Sequence, residues 1–290
     1  MKKRSIFYYI RRKFQILTYD ITSPEFVSKI YFKILLKYKL NLKEPKTFNE
    51  KLQWLKLYEW PKNYLAIKCS DKYKVREYID ENGMSDYLNE LYGVWDNAND
   101  IDFNKLPNQF VLKCNHGCGY NIICDDKTKL NLIETKKILN KWLKEKFGKF
   151  NAEPHYDKIE PKIICEKFLG GNITDYKFFC FNGKAEFMYI ASGFGNGIGE
   201  QVSFFDKDGK KAPYRRTDYP VKEDAALPEK FEEMKKLSEE LAKDFKFVRV
   251  DWFEENNKIY FGELTFTPCG GLMKIDPIKY DMEWGNILNI

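Results

Sequence analysis

Apolar residues change their spacing several times along the chain, and each change marks an element. Leu52, Leu55 and Tyr58 recur at helical spacing behind Thr47-Phe-Asn-Glu50, a capping-box pattern, and predict a helix over residues 49–60. Tyr73, Val75, Tyr78 and Ile79 predict a second helix over 70–82, stopped at Asn82-Gly83. Two more are expected over 133–147, with Trp142 and Leu143 on one face, and over 228–245. Short β-branched or aromatic runs predict strands over 91–95, 110–114, 121–124, 163–168, 176–181 and 186–192. Asn182-Gly183 is a two-residue hairpin turn between the last pair. Residues 247–253 alternate as a further strand, Glu254-Glu-Asn-Asn-Lys258 is a polar turn, and 259–266 is the returning strand. Residues 1–42 are basic and aromatic, read as two helices broken near Ser23-Pro24. With no internal repeat and no low-complexity linker, the parts belong to one α+β body.

The chain has 290 residues, enough for a sizeable core, and its apolar content argues against disorder. Its net charge of +6 is mild and suits small anionic substrates. Seven cysteines scattered singly fit a reducing compartment rather than a disulfide framework. No run approaches the roughly twenty apolar residues of a membrane span, and Ile6–Ile10 followed by Arg11-Arg12-Lys13 is no secretory leader. The expectation is a soluble cytoplasmic protein. One qualification comes from Lys2, Lys3, Arg4, Arg11, Arg12 and Lys13, which interleave with Phe7, Tyr8, Tyr9, Phe14 and Ile16. That pattern suits either a helix lying on the cytoplasmic face of an anionic membrane or a basic helix packed on the body.

The densest chemistry lies near the carboxyl end. Pairing the last two strands brings Asp251 beside Glu263, and period two puts Thr265 on the face of Glu263 and Arg249 on that of Asp251. Two carboxylates and a hydroxyl form an oxygen site suited to Mg²⁺, which takes one or two protein carboxylates and completes its shell with water and phosphate. Arg249 can clamp a phosphate or carboxylate. Upstream, Lys113 ends a strand before the glycine-bearing loop His116-Gly117-Cys-Gly119-Tyr-Asn121, where backbone amides can approach phosphate. There is no P-loop. Cys114, His116, Cys118 and Cys124 sit too close together for a tetrahedral zinc site. His116 and His155 are the chain's two histidines and read as structural. Glu166 precedes a glycine pair where a strand ends, a place to meet an adenine amino group; Asp175 and Lys177 share one face of the next strand. Asp206-Lys-Asp208-Gly209 is either a hairpin turn or the metal motif of a nucleotide-sugar glycosyltransferase, the turn being favoured.

Taken in order, the pieces resemble the ATP-grasp superfamily of carboxylate–amine ligases, and the final hairpin is similar to the Arg-x-Asp…Glu-x-Asn signature of D-alanine–D-alanine ligases. At finer grain, Phe48-Asn-Glu-Lys-Leu-Gln53, Asp71-Lys72-Tyr-Lys-Val-Arg76 and the segments 110–119, 175–183 and 249–265 resemble the TupA-like branch of surface-polysaccharide biosynthesis. The likeness spans about residues 45–285. It implies an ATP-grasp fold, two α+β subdomains around the nucleotide, with a helical extension over 1–45, an amino-terminal part over 46–105 and the nucleotide-binding region over 106–290. It also implies ATP and Mg²⁺ as cofactors. Lys113 and Lys177 would contact phosphates, with His116, Gly117, Gly119 and Asn121 folded over them. Glu166, Lys167 and Leu169 would frame the adenine, and Asp175 would belong to the same ATP-binding set. Asp251 and Glu263 would hold two Mg²⁺ ions, with Thr265 where the family has Asn, and Lys177 and Arg249 would be catalytic. The implied reaction is amide formation through an acyl phosphate, on a uronic acid or amino acid of a bacterial surface-polysaccharide precursor. A glycosyltransferase and a non-catalytic nucleotide-binding scaffold are the rival readings; nucleic acid is not an expected partner.

Overall fold

The computed structural model describes residues 6–171, 173–193 and 200–290, with side chains from residue 10 onward. Lys2, Lys3 and Arg4, and the side chains of Phe7, Tyr8 and Tyr9, therefore lie outside the described residues.

Helices α1 (Ile6–Ile21) and α2 (Pro24–Leu36) open the chain, and Ser23 between them caps α2 by accepting the Phe26 amide. The capping box at Thr47 and Glu50 starts α3 (Phe48–Trp54). The expected helix does not run on unchanged to Trp60: residues Leu55–Glu59 widen into a π turn, and Trp60–Lys62 tighten to a 3₁₀ turn. The helix expected over 70–82 forms only from Val75, as α5 (Val75–Glu81), and an unexpected helix, α4 (Tyr64–Ser70), precedes it. Asp71 separates them because its Oδ1 accepts the amides of Tyr73 and Lys74, a local turn that competes with helix.

Two antiparallel sheets follow. The first has four strands, β1 (Leu91–Trp95), β2 (Phe110–Cys114), β3 (Asn121–Cys124) and β4 (Ile163–Lys167), in the order β1-β4-β2-β3. Helix α6 (Leu132–Leu143) covers it, and Phe110, Leu112, Cys114, Ile122 and Cys124 join Leu139 and Trp142 in its core. The second sheet comprises β5 (Asp175–Phe181), β6 (Lys184–Ser192), β7 (Gln201–Asp206), β9 (Phe247–Glu255) and β10 (Lys258–Thr265), in the order β10-β9-β5-β6-β7. A two-residue pair, β8 (Arg215–Arg216) with β11 (Ile275–Asp276), lies apart from it. Asn182 and Gly183 both take positive φ, the geometry of the predicted hairpin turn.

The faces of the second sheet differ. One packs on α7 (Phe231–Ala242), with Phe178 stacked on Phe231. On the other, Phe181 and Phe247 meet Phe48 of α3 and Phe179 packs on Phe247, while Phe187 stacks on Trp284 of α8 (Lys279–Ile287). Period two places Lys177, Arg249 and Asp251 farther along this same face. A buried aromatic core therefore continues directly into a row of charges.

Candidate active site

Asp251 pairs directly with Glu263 on β10 and with Lys177 on β5, while Arg249 pairs with Thr265. The pairing depends on a bulge. The register shifts between Phe261 and Glu263, leaving Gly262 as an extra residue. Without the shift, Glu263 would oppose Val250 and point into the core. Glycine is needed there: a Cβ would stand 2.9 Å from both the Asp251 carbonyl oxygen and the Phe253 ring.

Asp251, 1% exposed, is the hub. Arg249 donates to it through Nε and Nη2, both at 2.6 Å, and Lys177 Nζ donates at 2.6 Å. Lys177 also meets Asp175 at 3.1 Å. Arg249 Nη2 reaches Glu263 Oε1 at 3.2 Å and Thr265 Oγ1 at 3.0 Å, and Thr265 donates to Glu263 at 2.9 Å. The other Glu263 oxygen accepts from Lys72 Nζ at 2.7 Å. Three acids thus face three bases. Burial would raise the Glu263 carboxyl, but Lys72, Arg249 and Lys177 outweigh it and hold it well below the usual carboxylate range. Burial works against the charge on Lys177, and Asp251 and Asp175 reverse that, pushing its ammonium far up. Both groups stay ionised at neutral pH.

Lys72 carries no role in the sequence reading, although it lies in one of the quoted motif runs. The break at Asp71 puts it here. Asp71 Oδ1 also accepts from Asn115 Nδ2 at 2.8 Å, and the Lys72 amide donates to the Asn115 carbonyl at 3.2 Å, tying the turn to the end of β2. Farther on, Arg76 donates to the Asn89 carbonyl at 2.9 Å and approaches Glu166 at 3.5 Å. Lys113 donates to the other Glu166 oxygen at 2.6 Å. Glu166 and Lys113 form a second charged group, on the first sheet.

The remaining candidates are dispersed. Lys167 is exposed beyond Glu166, and Leu169 is half-buried in the following loop. The His116 ring is buried and packs on Tyr120, its Nε2 lying 3.2 Å from the Trp142 carbonyl; burial lowers its pKa. Gly117 lies against Tyr120 and Phe147, Gly119 takes a positive φ, and Asn121 is exposed at the start of β3. His155 is fully buried, neither ring nitrogen finds a hydrogen-bond partner among the described residues, and burial pushes it down to about 3. Cys114 and Cys124 are core residues. Asp206 is committed to a turn: its Oδ1 accepts the amides of Asp208 at 3.0 Å and Lys210 at 2.9 Å.

Beyond β10, residues 267–271 form a loop held from below by α3. Gln53 Nε2 donates to the carbonyls of Gly270 at 2.9 Å and Gly271 at 2.7 Å, and the buried Lys56 ammonium donates to those of Gly270 at 3.1 Å and Asn151 at 3.0 Å. The capped helix thereby sets the height of the loop beside the charge row.

Among the described residues no group of three or more His, Cys, Asp or Glu forms a metal cluster. Asp251 and Glu263 with the Thr265 hydroxyl remain a hard-oxygen donor set, which fits Mg²⁺ shared with phosphate oxygens and does not suit a soft metal.

The model of the TupA-like ATP-grasp family matches residues 50–289. A comparison with curated proteins finds no match. Among solved structures, the D-alanine–D-alanine ligase of Bacillus anthracis is similar at 19% identity and a TM-score of 0.45, covering 69% of this chain and 58% of its own. The L-amino acid ligase of Bacillus licheniformis aligns at 16% identity and 0.46, covering 71% and 45%. The N5-carboxyaminoimidazole synthetase of Staphylococcus aureus, complexed with ADP, aligns at 15% and 0.41, covering 76% and 52%. The chain thus spans about half the length of these solved relatives. With a family match running from α3 to α8, this chain belongs to the TupA-like ATP-grasp family.

Proposed function

We propose that the protein is an ATP- and Mg²⁺-dependent carboxylate–amine ligase. The observation that carries this reading is the row Glu263–Asp251–Lys177 with Arg249, a neutral set of charges on one face of the second sheet, buried except for the half-buried Glu263. Such a row holds its cations in place before any ligand arrives, the preorganisation that phosphoryl transfer needs. In the proposed reaction a carboxylate oxygen of the acceptor attacks the γ-phosphorus of ATP and the bond to ADP breaks. An amine nitrogen then attacks the acyl carbon, phosphate leaves, and the nitrogen loses a proton.

Lys177 and Lys113 supply positive charge to the phosphates, exchanging their present carboxylate partners for phosphate oxygens. Arg249, whose planar fork fits two oxygens, faces the carboxylate being phosphorylated. Asp251, Glu263 and Thr265 would hold Mg²⁺, which when bound offsets phosphate charge. Glu166, Lys167 and Leu169 are assigned to the adenine, and Asp175 orients Lys177. His116, Gly117, Gly119 and Asn121 are assigned to the phosphate loop, the histidine through packing rather than contact. The acceptor is assigned as a uronic acid or amino acid carboxylate of a surface-polysaccharide precursor, supported by the mild basic charge.

Isothermal titration of ATP and of UDP-glucose, with and without Mg²⁺, tests the reading on the wild type and on Glu263→Gln. Expected is ATP binding that needs Mg²⁺ and weakens in the variant, followed by phosphate release with an amine and a uronate. Binding of the nucleotide sugar alone would overturn the ligase assignment in favour of a glycosyltransferase. ATP binding without phosphate release from any amine–carboxylate pair would make the protein a nucleotide-binding scaffold.

A further inference from the structure

Helix α1 faces the wrong way for folding. A surface helix ordinarily turns its apolar stripe inward and its polar side to water. In α1 the large apolar side chains Ile10, Phe14, Leu17 and Ile21 are exposed, at 59%, 67%, 56% and 71%. At about 100° per residue these four fall within an arc of about 60°. The opposite side meets the body through mixed chemistry. Gln15 is buried, Ile16 packs against the core of the first sheet, and the Arg12 guanidinium lies 3.7 Å from the centre of the Phe150 ring. Asp20 pairs with Lys149 at 2.5 Å, holding the helix end down. The helix is thus docked by its polar side and presents an unbroken apolar ridge outward. Contiguous exposed apolar surface of this kind marks an interaction site.

The charges around the ridge select its partner. Arg11 and Lys13 are exposed and flank it, about 90° to one side and about 70° to the other. Residues 6–36 carry Arg11, Arg12, Lys13, Lys29 and Lys33 against Asp20 and Glu25. We propose that α1 lies in the plane of an anionic lipid bilayer, with Ile10, Phe14, Leu17 and Ile21 among the upper acyl chains. Arg11 and Lys13 then rest at the level of the headgroups. This is the arrangement of an interfacial helix, whose apolar side sinks about 5–10 Å while its cations meet the phosphates. A symmetric contact between two copies would bring the basic flanks together, whereas an anionic surface satisfies them. No helix among the described residues is long and apolar enough to cross a membrane, so the contact is with one leaflet.

Flotation of the full chain with vesicles provides the test, using phosphatidylcholine alone and phosphatidylcholine mixed with phosphatidylglycerol. The wild type should float with the anionic vesicles and detach as salt is raised. Phe14→Ser/Leu17→Ser should weaken this at least tenfold, since both side chains withdraw apolar area from the bilayer. Its far-ultraviolet circular dichroism should not change, because both side chains are exposed. Arg11→Glu/Lys13→Glu should lose the preference for anionic over neutral vesicles. Failure of the wild type to float, or equal flotation of Phe14→Ser/Leu17→Ser, would overturn the proposal. A wild-type dimer that this double variant converts to monomer, with no flotation, would instead assign the ridge to a second copy of the chain.

Discussion

Replacing Asp251 by Asn removes the charge at the centre of the cluster while keeping its shape. The wild-type carboxylate accepts three charge-assisted hydrogen bonds at 2.6 Å, two from Arg249 and one from Lys177. Such bonds contribute about 1.5–3 kcal/mol each, yet their sum overstates the loss, because burying three charges already cost much of that. Breaking one partner out of a buried ionic set costs about 3–5 kcal/mol. Here Lys177 keeps Asp175, and Arg249 keeps Glu263 and Thr265, so the lower end, about 3 kcal/mol, is expected. Equilibrium urea unfolding at neutral pH measures it, the m-value showing whether the transition stays two-state. The double variant Asp251→Asn/Lys177→Met closes a cycle: because each partner makes the other tolerable, it should cost less than the two single changes together. A loss below about 0.5 kcal/mol for Asp251→Asn, or strict additivity in the cycle, would refute the claim that the row is mutually neutralising.

Three further outcomes follow from the same geometry. Glu263 has a folded pKa below its ordinary 4.5, so its stabilising effect is present above that pH and fades as pH falls. Glu263→Gln should accordingly destabilise at pH 7 by about 1–3 kcal/mol, with the gap to wild type narrowing below about pH 4.5 in acid-titrated urea unfolding. Lys56 behaves oppositely: burial lowers its pKa from 10.5 to about 8, so between those values the unfolded chain holds a proton the folded one has lost. Unfolding measured from pH 8 to 10.5 should show the wild type gaining up to about 3 kcal/mol relative to Lys56→Met, and a constant difference would contradict the buried-ammonium assignment. Gly271 takes φ +72°, and a Cβ there would lie 2.7 Å from Gln53 Nε2. Gly271→Val should cost about 2–4 kcal/mol in thermal or urea unfolding and release the loop from α3, visible as faster proteolysis near residue 270.

The strands carrying the site were legible because their alternation is clean: Asp251, Glu263, Thr265 and Arg249 share a face by simple parity. The route to that parity was not. The run Ile259–Phe261–Glu263–Leu264 satisfies core and site together only because Gly262 is bulged out, and a glycine in a strand does not by itself announce a bulge. Lys72 was hidden for a comparable reason. Its position depends on Asp71 ending α4 early and on Asn115, more than forty residues away, holding that turn, a tertiary bond that local periodicity does not reveal. The π turn after α3 and the short helices α4 and α8 escaped because packing, not propensity, defines them. For α1 the sequence left a membrane-facing and a body-packed helix open, because a helical repeat locates an apolar face without saying which way it points.

The short stretch from Asp71 to Arg76 has a mechanical consequence. Lys72 grips the second sheet through Glu263, and Arg76 grips the first through Glu166 and the Asn89 carbonyl, so this stretch is a strut between the two halves. Any polyanion that draws Lys72 away from Glu263 breaks the link to the second sheet, while Asn115 and the Arg76 contacts keep the stretch fastened to the side of the first. Binding of the polyanion and loss of the ion pair between the two sheets would then be a single event.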